Sequence, residues 1–199
     1  MGFNTMLDIL GSIIIGGILM TITWRLSDAA TEKTYNNSGE LSLQQNLATV
    51  AQILENDFRK IGFCANWNNF PDPTRAIVTA DSSEIKFLTD LDLNGEMDSI
   101  RYYLGPASEL TGTPNPRDRL LYRIENNEMP AASNLGVTRF YLVYYDALGG
   151  VIPSPVATPG LISSLEINLT VESVAAYNQE YSSAFWRQIR LAARNLRNR

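Results

Sequence analysis

The hydrophobic pattern of the chain changes period as it runs from the N-terminus. From Ile9 to Trp24, sixteen consecutive residues carry no charge, and Leu7 and Asp8 extend the stretch to eighteen. A helix drawn through it is apolar on every side, as expected of a segment solvated by lipid. A bilayer core takes about 20 apolar residues as helix, so the stretch is at the short edge of a membrane span. Further on, Leu43, Leu47, Val50, Leu54, Phe58 and Ile61 recur at spacings of three and four. That is a single apolar stripe on an amphipathic helix. Gly62 stands where a helix-ending glycine belongs. "NNSG", residues 36–39, weakens the helix between these two regions, so a break is expected there.

Beyond Gly62 the period shortens to two, and nine prolines punctuate the chain. "AIVTA" (76–80), "EIKFLT" (84–89), "SIRYYL" (99–104), "LLYRIE" (120–125), "VTRFYLVYYD" (137–146) and "LEINLTVES" (165–173) read as strands. In the last, Ile167, Leu169 and Val171 share one face while Glu166, Asn168 and Thr170 share the other. "ALGG", residues 147–150, reads as a turn. Helix first and strands after predict an α+β fold, with a long N-terminal helix packed on an antiparallel sheet. The expected organisation is residues 1–25 as membrane anchor, 26–62 as amphipathic helix and 63–199 as a β-rich globular domain.

The formal charge is -5, and the body is acidic apart from Arg187, Arg190, Arg194, Arg197 and Arg199 near the C-terminus. An acidic body argues against nucleic acid as a partner over most of the surface. The terminal arginines read as a solvated end, or as partners for acids elsewhere in the fold. Arg25 and Lys33 follow the apolar stretch and no base precedes it. That balance alone would put the body in the cytoplasm.

The chain has no histidine, which removes Ser-His-Asp and Cys-His catalysis and His-ligated metal sites. The single cysteine, Cys64, lies between Phe63 and Ala65 and reads as a buried thiol. No catalytic residue is assigned. The scattered carboxylates supply no pair for glycoside hydrolysis that sequence can recognise.

Two features carry candidate chemistry. Within the apolar stretch, Ser12/Gly16 and Gly17/Thr21 are small-xxx-small pairs, which let helices approach closely in lipid. In "TDLDLNGEMDSIRYY" (89–103), Asp90, Asp92, Asn94, Glu96 and Asp98 alternate around Gly95. The order follows an EF-hand-type calcium loop, in which carboxylates and a backbone carbonyl wrap the ion. The twelfth position, where that loop places a bidentate Glu, is Arg101. The other reading is a hairpin tip, since Asn-Gly favours a tight turn. Calcium is therefore a candidate ligand of this loop and the only cofactor the sequence suggests.

The layout resembles the type IV pilin superfamily, and within it PilW-like minor pilins and the J-type minor pseudopilins of type II secretion. "LATVAQILENDFRKIGF" (47–63) looks like the family's helix ending, with an acidic-x-Arg pair and a following Gly-aromatic. "IKFLTDLDLNGEMDSIRYYL" (85–104) resembles its strand, acidic turn and strand with a Tyr pair. "DRLLYRIENN" (118–127), "VTRFYLVYYDALGGVI" (137–152) and "FWRQIRLAARNLRN" (185–198) follow in order. Gly2-Phe3 looks like the junction that prepilin peptidase cuts. The family's usual acidic residue falls at Leu7, and Asp8 lies one position beyond it.

The resemblance implies a non-enzymatic subunit held in the inner membrane, with its globular domain outside the cytoplasm. Such a subunit joins or primes a type IV pilus-like or type II secretion filament, and its partners are other pilins or pseudopilins. Gly2 and Phe3 would serve processing. Asp8, Ser12, Gly16 and Gly17 would serve assembly. The competing reading is a membrane-tethered, extracytoplasmic binding module that never assembles, with Tyr141, Tyr144 and Tyr145 as a candidate ligand face.

Overall fold

The computed structural model describes residues 2–126, 128–173 and 181–191; for residues 2–4, 35, 36 and 189–191 it describes the backbone alone. The described residues form one long α-helix and two antiparallel sheets, an α+β fold with the helix packed on a sheet. It divides into two units, Met1–Leu41 and Ser42–Arg199.

Helix α1 runs unbroken from Gly2 to Arg59. The break expected at residues 36–39 does not occur. Asn and Gly each cost a helix only about 0.5–1 kcal/mol relative to Ala, and no proline interrupts the hydrogen-bond ladder. The boundary between the two units nevertheless falls close by, between Leu41 and Ser42. The helix ends at Arg59. A turn follows, closed by Lys60 N–H on Asp57 O and Phe63 N–H on Lys60 O. Gly62 takes a φ of +72°, a conformation its missing Cβ permits, and its N–H donates to Leu88 O on the sheet.

In the first unit the large apolar side chains from Met6 to Leu26 are all exposed. The helix is here long and apolar enough to cross a membrane. In the second unit Leu43, Val50, Leu54 and Phe58 are buried and Leu47 is packed against them.

The first sheet is a meander in the order β1 (Ile77–Ala80), β2 (Glu84–Thr89), β3 (Asp98–Leu104), β4 (Leu121–Glu125) and β5 (Ala131–Ser133). Its register sets Ile85 opposite Tyr102 and Phe87 opposite Ile100, so these four share the buried face. The Phe58 ring meets Phe87 edge-on, with centroids 5.4 Å apart, and tilts against Tyr102 at 5.6 Å.

The second sheet has the order β7 (Val151–Ile152), β6 (Val137–Tyr145), β8 (Ser164–Glu172) and β9 (Ser183–Leu191). The single sheet expected from the sequence is thus two. They are joined where Tyr144 Oη donates to Asp81 O at 2.7 Å and Leu142 N–H donates to Ser82 O at 2.8 Å. One face of β8 (Leu165, Ile167, Leu169 and Val171) enters the common core. Strands β5, β7 and β9 were not expected. The first two are only three and two residues long, and Arg187 and Gln188 blur the apolar alternation of the third.

Candidate functional site

The acidic loop between β2 and β3 is the most constructed polar site of the folded unit. Leu93 and Gly95 take φ values of +63° and +87°, which curl the chain back on itself. Gly95 is held from outside: Asn69 Nδ2 donates to its carbonyl at 2.5 Å. A Cβ at Gly95 would lie 3.1 Å from Asn66 Cβ, so the approach and the left-handed backbone both favour glycine.

Asp90 is 1% exposed, and its Oδ2 accepts N–H bonds from Ala65 and Gly95, each 3.0 Å. The Ala65 N–H holds its carboxyl below the ordinary range; burial opposes this, and the Gly95 N–H works with Ala65. Asp98 Oδ2 accepts from Leu91 N–H and Oδ1 from Asn126 Nδ2. Asp92 accepts from Asn94, both from its backbone N–H and from its side-chain amide.

Ligand oxygens of Asp90, Asp92 and Asp98 lie within 4.8 Å of one another. Of the five residues read as candidate ligands, the structure gathers these three. Asn94 Oδ1 instead accepts from Glu96 N–H, and Glu96 is exposed outside the cluster. The buried Asp90 Oδ1 has no hydrogen-bond partner. An ionised, buried oxygen without a donor is what a cation would satisfy, so the three aspartates fit a hard divalent ion completed by backbone carbonyls or water.

Gly2 and Phe3 lie in the first turn of α1, and their side chains are outside the described residues. Asp8 and Ser12 are exposed, and Ser12 Oγ donates to Asp8 O at 2.8 Å. A Cβ at Gly11, Gly16 or Gly17 would meet nothing within 4 Å, so the small-residue face is open. Tyr144 is core and Tyr145 Oη donates to Glu166, so of the three tyrosines only Tyr141 is exposed. Cys64 is half-buried, not buried, with Sγ 3.1 Å from Asn66 O. Arg190, Arg194, Arg197 and Arg199 lie outside the described side chains; Arg187 pairs with Glu166.

Sequence reasoning missed a contact between the helix and the first sheet. Asp57 Oδ2 accepts from Tyr102 Oη and from Arg123 Nε, both at 2.6 Å, and Arg123 also pairs with Glu125. Burial pushes the Tyr102 hydroxyl far above its usual range, so it stays a neutral donor. Burial works against the Arg123 charge, but Asp57 and Glu125 outweigh it and raise its pKa. The signal was present in three separate motifs: the acidic-x-Arg of the helix end, the Tyr pair of β3 and the Leu-Tyr-Arg of β4. Nothing in their spacing said that they meet.

No family model matches the chain, and no curated protein or solved structure matches it.

Proposed function

We propose that the protein is a non-enzymatic, membrane-anchored subunit of a filament of the type IV pilus or type II secretion kind, similar to PilW-like minor pilins and J-type minor pseudopilins. One observation carries this reading. A single unbroken helix presents exposed apolar side chains from Met6 to Leu26 in the first unit and becomes the spine of a folded domain in the second. Such a helix needs lipid around its first part, or neighbouring helices of the same kind. The open Gly16/Gly17 face, with Ser12 beside it, suits close helix packing. In this reading the folded domain lies outside the cytoplasm. Prepilin peptidase cuts between Gly2 and Phe3, and Asp8 contacts a neighbouring subunit. The Asp90–Asp98 loop takes calcium, which braces the segment after the helix through Ala65, Asn66 and Asn69.

The second reading, a tether that never assembles, keeps the same anchor and domain. The intact mass of the protein from its native membrane separates the two. Loss of Met1 and Gly2 with a methyl group added at Phe3 is the expected result. A mass that retains Gly2 would leave a simple tether. Loss of everything through about Trp24 would mean a cleaved signal peptide and would end the filament reading.

A further inference from the structure

A groove of about 1080 Å³ runs over the outward face of the second sheet. The ladders from β6 to β8 and from β8 to β9 fix what stands on that face. Arg139 pairs with Thr170 and Thr170 with Phe185, so the three make one row across the sheet. Tyr141, Asn168 and Arg187 make the next row. Positions two apart on a strand share a face, and both rows point away from the core that Leu169 and Val171 enter. The corners of the patch alternate in kind. Each aromatic ring is flanked by both arginines and lies diagonal to the other ring.

Tyr141 and Phe185 are 46% and 59% exposed. The other face of the same strands supplies the packing: Phe140 and Leu142 are buried on β6, and Trp186 packs against the core from β9. The two outward rings are therefore surface that the fold itself does not use.

The groove also carries charge. Its lining holds four arginines, Arg117, Arg119, Arg139 and Arg187, against two glutamates, Glu166 and Glu172. Both glutamates are engaged. Arg187 grips Glu166 through Nε at 2.9 Å and Nη2 at 3.0 Å, and Arg117 pairs with Glu172 at 2.9 Å. Arg119 and Arg139 have no ion-pair partner among the described residues. In a chain of net charge -5 this is a local excess of positive charge.

These features together define a ligand. Strand spacing and rise set Tyr141 and Phe185 about 12 Å apart. That is too far for both to stack on one ring, so the ligand is a chain of rings. The face of an aromatic ring is negative and suits the weakly positive C–H face of a sugar. Between the corners, Asn168 and Thr170 offer amide and hydroxyl groups, which pair with sugar hydroxyls. Arg119 and Arg139 call for an anion, and a guanidinium matches a planar carboxylate best. A single-stranded nucleic acid fits less well. It needs a track of cations along its backbone, and here glutamates interrupt the arginines.

We propose that the outward face of the second sheet binds an acidic polysaccharide, a chain of sugars bearing carboxylates, with sugar rings on Tyr141 and Phe185 and carboxylates on Arg119 and Arg139. This goes beyond the filament reading and does not depend on it, because the binding is a property of the single chain.

The test is fluorescence anisotropy of labelled oligogalacturonate and labelled hyaluronan oligosaccharide against the full chain in non-ionic detergent. Chelator is present throughout, so that no calcium bridges the acidic loop to the sugar acids. Saturable binding of at least one is expected, and salt should weaken it. The methyl ester of the same oligosaccharide keeps the rings and loses the charge, and should bind about tenfold more weakly. Arg139→Gln should cost a similar factor, and Phe185→Ala a severalfold loss. Both side chains are exposed, so both variants should melt with the parent. Four results would overturn the proposal: no binding of either oligosaccharide; equal binding of the ester; indifference to Arg139→Gln or to Phe185→Ala; or tighter binding of a thymidine oligonucleotide through the same residues.

Discussion

One helix of this protein lives in two environments. Ile14, in the first unit, is 60% exposed; Leu54, in the second, is 0% exposed. Both are branched aliphatic residues within the same continuous α1. Helix propensity therefore does not distinguish the two regions. What differs is whether apolar side chains find a covering surface within the chain. In the second unit the first sheet provides it, through Phe87, Ile100 and Tyr102. In the first unit nothing among the described residues does, and each such side chain is worth roughly 1.5–3 kcal/mol if covered by something else. The contrast is the physical content of the anchor reading.

A polar contact fixes the second half of the helix to the first sheet. Asp57→Ala leaves the Arg123 guanidinium and Tyr102 hydroxyl without their shared acceptor. Removing one partner of a buried pair costs about 3–5 kcal/mol. A calorimetric melt in detergent should fall accordingly, while a Tm within a degree of the parent would show that the helix is held by packing alone. Next in size is Leu54→Ala. It deletes a fully buried side chain between helix and sheets and should cost about 3 kcal/mol, read as a lower midpoint of chemical unfolding.

Much of the second unit was legible in the sequence because period carries burial. The stripe from Leu43 to Ile61, strand β2 to the residue, and the alternation of β8 all follow from which side chains must be covered. Pairing was not legible. The division into two sheets depends on Tyr144 reaching Asp81, and the short strands β5 and β7 carry almost no apolar signal. At the acidic loop the sequence named five oxygen donors, and the chain gathers three, because Asn94 turns its oxygen to Glu96 N–H.

The acidic loop and the loop around Asp118 hold carboxylates with no arginine partner among the described residues, Asp90 and Asp118 being buried. For Asp90, Asp92 and Asp98 the proposed partner is an external cation. Saturating calcium should raise the thermal midpoint over that in chelator, through binding to the folded state alone, and Asp98→Asn should shrink the rise. Equal midpoints in calcium and chelator would remove the cation from the reading.

Asp118 has no such route. It is buried, and neither carboxylate oxygen has a hydrogen-bond partner. Burial pushes its carboxyl above the ordinary 3.8; the Thr113 hydroxyl opposes this in part, and Glu172 adds a smaller push upward. A raised folded-state pKa means that the folded protein holds the proton more tightly. That stabilisation is fully present below 3.8 and is lost as pH rises through the folded value. Asp118→Asn should therefore stabilise the protein by about 1 kcal/mol at neutral pH and by nothing in acid. A variant less stable than the parent at pH 7 would mean that the carboxylate has a partner after all.

The smallest expected effect tests the comparison most directly. Ile14→Ala makes a truncation like Leu54→Ala, on the same helix, at a position with no internal neighbour to lose. The folded unit should melt within about 0.5 kcal/mol of the parent. The cost should appear instead where the side chain is covered, as easier extraction from the membrane or weaker association between copies. If Ile14→Ala lowers the melt as far as Leu54→Ala does, the first unit buries its apolar surface against the protein itself. The anchor would then be a core element, and lipid would no longer be needed to explain an exposed apolar helix.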